Sequence, residues 1–371
     1  MTARTRPPFR ADHVGSLLRP VKLREARAAH AAGTLPADAM RAIEDASIAG
    51  AIAKQESIGL RAATDGEYRR AYWHYDFVAK LEGAELYVPE QRIEFKGGAM
   101  LPHRLKVNGR IAWKEPAFVA DYGVTAAHVK SAIAKQTIPS PSVLHFRGGR
   151  QSIDRAVYPD IAAFFTDLGT AYHDAVGAFA AAGCRYLQLD EVNLAYLCDP
   201  EQIAQLKQRG DYIEGLVDIY ATLINRAIDG RPADMMVSMH LCRGNFRSTF
   251  VASGGYEPVA ETLFNRINVD AYFMEWDSDR AGGFEPLRFV PKGDKVVVLG
   301  LVTSKTGKLE SKDDLKRRID EAAKYVSLDQ LALSPQCGFA STEEGNLLTE
   351  DEQWRKLELC VEVARDVWGA L

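Results

Sequence analysis

The chain has 371 residues, 47% of them hydrophobic and 26% charged, with a formal net charge of -4. This is the balance of a globular protein large enough to bury a full core, and without a basic excess it gives no argument for nucleic acid or an anionic membrane as partner. No apolar run approaches the roughly 20 residues needed to span a bilayer, and Met1–Pro8 lacks the apolar core of a secretory signal.

Short apolar, β-branched runs alternate along the chain with amphipathic helical stretches. The expected strands are 12–16, 60–66, 137–144, 185–191, 235–242, 269–276, 295–303 and 331–337. Between the third and fourth, residues 159–182 place Ile161, Phe165, Leu168, Tyr172, Val176 and Phe179 at helical spacing. Between the last two, residues 311–326 begin with Ser311 and Asp314 in the pattern of a capping box. The run Val296–Leu299 is apolar without alternation, as expected of a parallel strand covered on both faces. Eight such units predict an α/β protein, a single (β/α)8 TIM barrel over residues 1–371 with no second domain. An open doubly wound sheet is the alternative, but no G-x-G-x-x-G or Walker loop follows an early strand. Residues of about 76–125 break the rhythm as an insertion, and alternation around Asn108-Gly109 predicts a β-hairpin with its tight turn there.

In a barrel the C-terminal strand ends converge on the active site. Here those ends include Val14-Gly15-Ser16, Asp65-Gly66-Glu67, Asp190-Glu191, His240-Leu241-Cys242, Glu275-Trp276-Asp277 and Cys337. Two residues apart on a strand, His240 and Cys242 point to one side. With Cys337 and one carboxylate they make a donor set whose soft thiolates favour zinc. Spacing alone does not choose among Glu275, Asp277, Asp190 and Glu191. The five cysteines (Cys184, Cys198, Cys242, Cys337 and Cys360) are too sparse for a disulfide framework and fit a reducing compartment, the cytoplasm by expectation. Cys184, Cys198 and Cys360 read as packing residues. The aromatic run Tyr72-Trp73-His74-Tyr75 is core or the wall of a donor pocket, and His145 and Phe146 call for the same choice. Arg243 reads as a solvated ion pair or an anion contact.

The stretches Asp12-His-Val-Gly-Ser-Leu-Leu-Arg-Pro20, Thr64-Asp-Gly-Glu-Tyr-Arg69, Gln188-Leu-Asp-Glu191, Met239-His-Leu-Cys-Arg-Gly-Asn245, Phe273-Met-Glu-Trp276 and Leu333-Ser-Pro-Gln-Cys-Gly338 together resemble the cobalamin-independent methionine synthase family, in the short form of its C-terminal catalytic barrel. The resemblance spans nearly the whole chain in order. It implies Zn2+ on His240, Cys242, Glu275 and Cys337, and homocysteine across Val14, Gly15, Ser16, Glu67 and Asp190. It also implies transfer of a methyl group to that thiol. The chemistry agrees: a thiol of pKa roughly 8.5 needs a metal to become a ready nucleophile at neutral pH. Glu67 and Asp190 suit the ammonium of an amino-acid thiol, although Glu67 could instead pair with Arg69 or Arg70, and Asp190 with Glu191 could form a structural pair.

The sequence departs from the long enzymes in lacking their N-terminal duplicate, and in having Gly300-Leu-Val-Thr-Ser-Lys305 where they carry a histidine thought to protonate the leaving folate. Lys305 is the candidate replacement. The expected partners are a small-molecule thiol and a methyl donor, either a methylfolate or a methylated corrinoid, the latter delivered by a partner protein. Alternatives are an epoxyalkane:coenzyme M transferase-type alkylation, a metal-free hydrolase using Glu67, Asp190 and Glu191, and a non-catalytic zinc-binding protein.

Overall fold

The computed structural model describes residues 4–88, 103–114 and 116–369. Its strands in chain order are β1 (Ala62–Ala63), β2 (Glu82–Tyr87), β3 (Arg104–Ala112), β4 (Ile133–Ala134), β5 (Gln136–Pro139), β6 (Tyr186–Glu191), β7 (Met236–Leu241), β8 (Ala271–Glu275), β9 (Val296–Val302) and β10 (Leu331–Pro335). Six of them form one all-parallel sheet in the order β10-β9-β8-β7-β6-β5, and β1 pairs in parallel with β4. The expected α/β architecture with a parallel sheet is therefore present.

Both faces of the sheet are apolar, which is why β9 is buried at every position. Alternate residues divide between them. Tyr272, Met274, Val297, Leu299, Leu331 and Leu333 belong to the large core shared with the helices. Ala271, Phe273, Val296, Val298 and Ala332 face the other way and form a separate cluster with Val14. The helix Ile161–Ala181 joins β5 to β6, capped by Asp160 accepting from the Ala162 N–H at 3.0 Å. It buries Phe164, Leu168, Tyr172, Val176 and Phe179, while Phe165 is only partly covered. The helix Lys312–Ala322 joins β9 to β10, capped by Ser311, which accepts from the Asp314 N–H. Between β8 and β9 only short 3-10 turns intervene.

The expected first strand is reduced to one parallel bridge between Ala11 and Leu333, with the Asp12 N–H donating to Leu333 O at 3.0 Å. Beyond it the ladder does not continue. Gly15 has φ +143°, and its carbonyl accepts from Thr64 Oγ1 at 2.6 Å, so a side chain takes the place of a strand partner. The backbone ladder is thus open between residues 11–17 and β1 among the described residues. The expected third strand also ends early: after Pro139 and Pro141 the chain turns into the helix Ser142–Gly148, which takes His145 and Phe146 off the strand.

An antiparallel pair, β2 with β3, occurs in this region, but the expected hairpin turning at Asn108-Gly109 does not form. Those residues lie inside β3, antiparallel to β2, at a register shift where Gly83 abuts Gly109 and the Asn108 amide donates to Glu85 at 2.6 Å. The glycine there serves a bulge, not a turn. The connection between β2 and β3, and with it residues 89–102 of the expected insertion, lies outside the described residues.

Candidate metal centre and adjoining pocket

Four side chains converge where β7, β8 and β10 end. The ligand atoms of His240, Cys242, Glu275 and Cys337 all lie within 4.8 Å of one another, and all four residues are buried. His240 sits on β7, and Cys242, just past it, continues the ladder by donating its N–H to Glu191 O at 3.1 Å. Glu275 closes β8. Cys337 lies two residues beyond β10, after a register shift between Ser334 and Pro335.

The electrostatics of this group are those of a cation site. His240 Nδ1 lies 3.3 Å from Phe273 O, which fixes the ring, while Nε2 is buried without a hydrogen-bond partner. The two sulfurs are 3.5 Å apart. A hydrogen bond from Cys242 holds the Cys337 thiol well below the ordinary cysteine range and pushes Cys242 above it, so one proton is shared where a cation would displace it. Burial works against protonating His240, but the Cys337 charge outweighs it and raises the imidazole. Glu275 accepts from the Arg243 backbone N–H at 2.9 Å and from Arg280 at 2.7 Å. Burial raises its carboxyl. The Gly244 N–H points at Cys242 Sγ from 3.3 Å. An orphaned imidazole nitrogen, two thiols and an anchored carboxylate fit a divalent ion of borderline softness.

Above this group a pocket with about 810 Å³ of empty space is lined by His240, Cys242 and Cys337 together with Val14, Ser16, Glu67 and Asp190. Glu67, at φ +59°, accepts from Thr137 Oγ1 at 2.8 Å and faces Arg70 at 3.3 Å, while its Oε2 is buried and unpartnered. Burial raises its carboxyl against the pull of Arg70. Asp190 accepts from Gln188 at 2.7 Å, and burial followed by the Glu67 charge pushes it up to about 7. The same Gln188 amide nitrogen donates to Val14 O at 2.7 Å, tying the loop at Val14 to β6.

Of the other sequence candidates, Gly15 stands just behind the pocket wall, where a Cβ would lie 2.7 Å from Thr137 Cγ2. Lys305 is buried, and its ammonium donates to Asn245 Oδ1 at 3.3 Å. Glu67 does pair with Arg70, whereas Arg69 turns to Glu44 and Asp121. Glu191 points away from the pocket, accepting from Ser142 and from the N–H groups of Asn193 and Leu194, so it caps a turn and is unavailable to a carboxylate pair. Arg243 is not solvated: its side chain is fully buried over the Tyr256 ring at 4.2 Å. Trp73 and His74 line the pocket, while Cys184, Cys198 and Cys360 are buried outside its lining. The sequence reading missed Arg147, Tyr196, Phe246 and Ser341 in the lining. They sit on helices or loops past the strand ends, where no spacing rule marks them. Asn245, at the end of a quoted motif, was the one with a usable signal.

A parallel α/β sheet with titratable side chains gathered past its C-terminal strand ends has the layout in which such proteins bind their ligands. Residues 9–366 match the family described as "Cobalamin-independent synthase, Catalytic domain". Two uncharacterized proteins of Bacillus subtilis, YxjG and YxjH, are 49% and 48% identical, over 98% and 97% of this chain and 96% and 95% of theirs. A methionine synthase of Pyrococcus abyssi is 26% identical, covering 87% of this chain and 82% of its own. A Listeria monocytogenes crystal structure, provisionally assigned as a vitamin-B12-independent methionine synthase, is 41% identical with a TM-score of 0.80, covering 99% of this chain and 100% of that one. A B12-independent methionine synthase of Shewanella sp., solved with selenomethionine, shares the fold at 18% identity and a TM-score of 0.73, covering 97% and 98%. The chain belongs to the cobalamin-independent synthase catalytic-domain family and is an enzyme of the methyltransferase class.

Proposed function

We propose that this enzyme transfers a methyl group to the thiol of homocysteine in a zinc-dependent reaction, giving methionine. The observation that carries the reading is the four-donor group, three of whose members open into the same pocket as two buried carboxyls, Glu67 and Asp190. Relatives named methionine synthases, and a shared fold seen with selenomethionine bound, support homocysteine as acceptor. The donor is a methylfolate or a methylated corrinoid. We read the fold as a single (β/α)8 barrel over residues 1–371, with the open ladder beside β1 as its seam and about 76–125 as an insertion.

His240, Cys242, Glu275 and Cys337 would hold the zinc, which supplies the charge that keeps an incoming thiol deprotonated at neutral pH. Arg243 and Arg280 pin Glu275 from behind. Glu67 Oε2 and Asp190 take the substrate ammonium, and Val14 and Ser16, with Gly15 directly behind them, form the wall against its carboxylate end. A departing folate nitrogen needs a proton, and Lys305, held by Asn245, is the proposed source. A sulfonated thiol such as coenzyme M offers no ammonium to the buried carboxyls, which makes it the weaker acceptor.

The purified protein is expected to retain zinc and to gain a Zn–S signal in zinc-edge spectroscopy on adding homocysteine. Cys337→Ser should lose the metal and the transfer while keeping its circular dichroism. A variant that keeps both metal and transfer overturns the ligand assignment.

A further inference from the structure

We infer that Arg280 is a positioning residue that competes with the metal for Glu275 and shelters its carboxylate while a substrate sulfur holds the ion; this rests on the transfer reading above. Four protein donors fill a tetrahedral ion, so a thiol finds no place on it until one of them yields. Of the four, Glu275 is the one with a cation to yield to, in an ion pair of 2.7 Å with Arg280. His240 Nε2 has no other partner among the described residues, and the two sulfurs, 3.5 Å apart, would be left facing each other.

Arg280 is built into that place. It lies on the 3-10 turn Asp279–Ala281, just past Glu275, with its side chain only 8% exposed. Its carbonyl accepts from the Gly254 N–H at 2.8 Å, and its guanidinium lies over the Phe250 ring at 5.0 Å. Both contacts come from the segment after β7 whose Phe246 and Val251 line the thiol pocket, so the cover of the pocket and the metal ligand share one arginine. A buried carboxylate released without such a partner would bear the full cost of an unpaired charge.

The pairing is also divided. The nitrogen that meets Glu275 lies 2.6 Å from Asp277 Oδ1, and both carboxyl groups are buried. Asp277, one of the carboxylates that spacing left open as a ligand, stands outside the four-donor group and instead draws on the same guanidinium. It thereby sets how much of Arg280 is left for Glu275. Charge balances in the exchange, because a thiolate takes the place of a carboxylate of equal charge, and the proton shed by the thiol leaves to solvent.

The test uses the zinc-loaded full chain with homocysteine, reading thiol affinity by calorimetry beside the zinc-edge signal, and zinc affinity by chelator competition. Asp277→Asn leaves Arg280 to Glu275 alone, so the thiol should bind at least about twofold more tightly and the chelator should take zinc more readily. Arg280→Gln should do the reverse, weakening the thiol about ten- to a hundredfold while zinc is held at least as firmly. Arg280→Lys, keeping the charge, should recover part of the loss. Asp277→Asn keeps the Glu275–Arg280 pair intact and carries the test if Arg280→Gln does not fold. With Glu275→Gln, whose amide needs no shelter, neither substitution should alter thiol affinity further. A merely structural arginine would lower both affinities together. That result, unchanged thiol affinity in Asp277→Asn and Arg280→Gln, or an effect that persists beside Glu275→Gln, overturns the exchange role. A zinc–sulfur signal in the wild type keeps the transfer reading standing in each of those cases; its absence sinks that reading, and the role of Arg280 with it.

Discussion

Asp190 and Glu67 are two buried carboxyls with their charges in reach of each other, so the pocket holds a proton until something cationic replaces it. With Asp190 pushed up to about 7, that carboxyl is mostly neutral below neutral pH. An incoming ammonium favours its ionised form. The affinity of an amino-acid thiol should therefore rise as pH climbs towards 7, beyond whatever rise its own thiol contributes. A mercapto-acid without the amine shares the thiol contribution and lacks the other, so the difference between the two slopes isolates Asp190. Asp190→Asn should erase that difference and weaken homocysteine binding about tenfold or more, the scale of a lost charged hydrogen bond. Calorimetry with both thiols from roughly pH 6 to 8 measures it. Parallel slopes for the two thiols in the wild type would remove Asp190 from the ammonium site.

At the scale of elements, the centre depends on how closely three strand ends approach. Gly300 on β9 is register partner to both Glu275 and Ser334, and a Cβ there would lie 2.7 Å from the Gln336 Cα and 2.7 Å from the Met274 carbonyl oxygen. Both obstacles are backbone, so neither can swing aside. Gly300→Ala should force β8 and β10 apart beneath Glu275 and Cys337, costing about 1–3 kcal/mol and loosening the metal. Denaturant melts and chelator competition read the two effects, and wild-type values in both would show that the strands can give. The same elements explain what the sequence made legible. β6 to β10 are runs of almost wholly buried residues, and their polar ends stand out against them, so His240, Cys242 and Glu275 could be read as strand-end residues. Strand 12–16 was expected but does not form, because a side chain, Thr64, satisfies the Gly15 carbonyl that a neighbouring strand would otherwise use. Asn108-Gly109 misled because the dipeptide that favours a tight turn also suits a bulge, and only the facing Gly83 distinguishes them. Arg147 and Tyr196 gave no signal, since helices that follow strands place side chains over a pocket at no fixed spacing.

Across the whole molecule, three histidines are buried as neutral rings in separate places, and unfolding in acid must charge them. His13 lies beside the buried Lys135–Asp12 pair, with burial first and Lys135 second lowering it to about 4. His145, 2.8 Å from the Tyr220 hydroxyl, is lowered to about 4 chiefly by burial. His74, stacked between Trp73 and Tyr75, is held well below the ordinary range by burial and Arg147. An unfolded histidine binds its proton near 6.5 and the folded His13 and His145 only near 4, so the unfolded state carries the excess proton between those values, and His74 acts in the same direction. For His13 and His145 the contribution is complete above pH 6.5 and lost as pH falls towards 4, amounting to about 2 kcal/mol for each by pH 5. Asp190, raised to about 7, acts with the opposite sign throughout the same window, since the folded state there holds the extra proton. That opposing effect cancels when a variant is compared with the wild type. His145→Gln keeps a hydrogen-bonding group for Tyr220 and removes the titration, so it should be less stable at pH 7 yet lose less stability on going to pH 5, by about 2 kcal/mol. Urea melts at the two pH values give the difference directly, and an identical pH slope in the two proteins would mean that His145 is already charged in the fold.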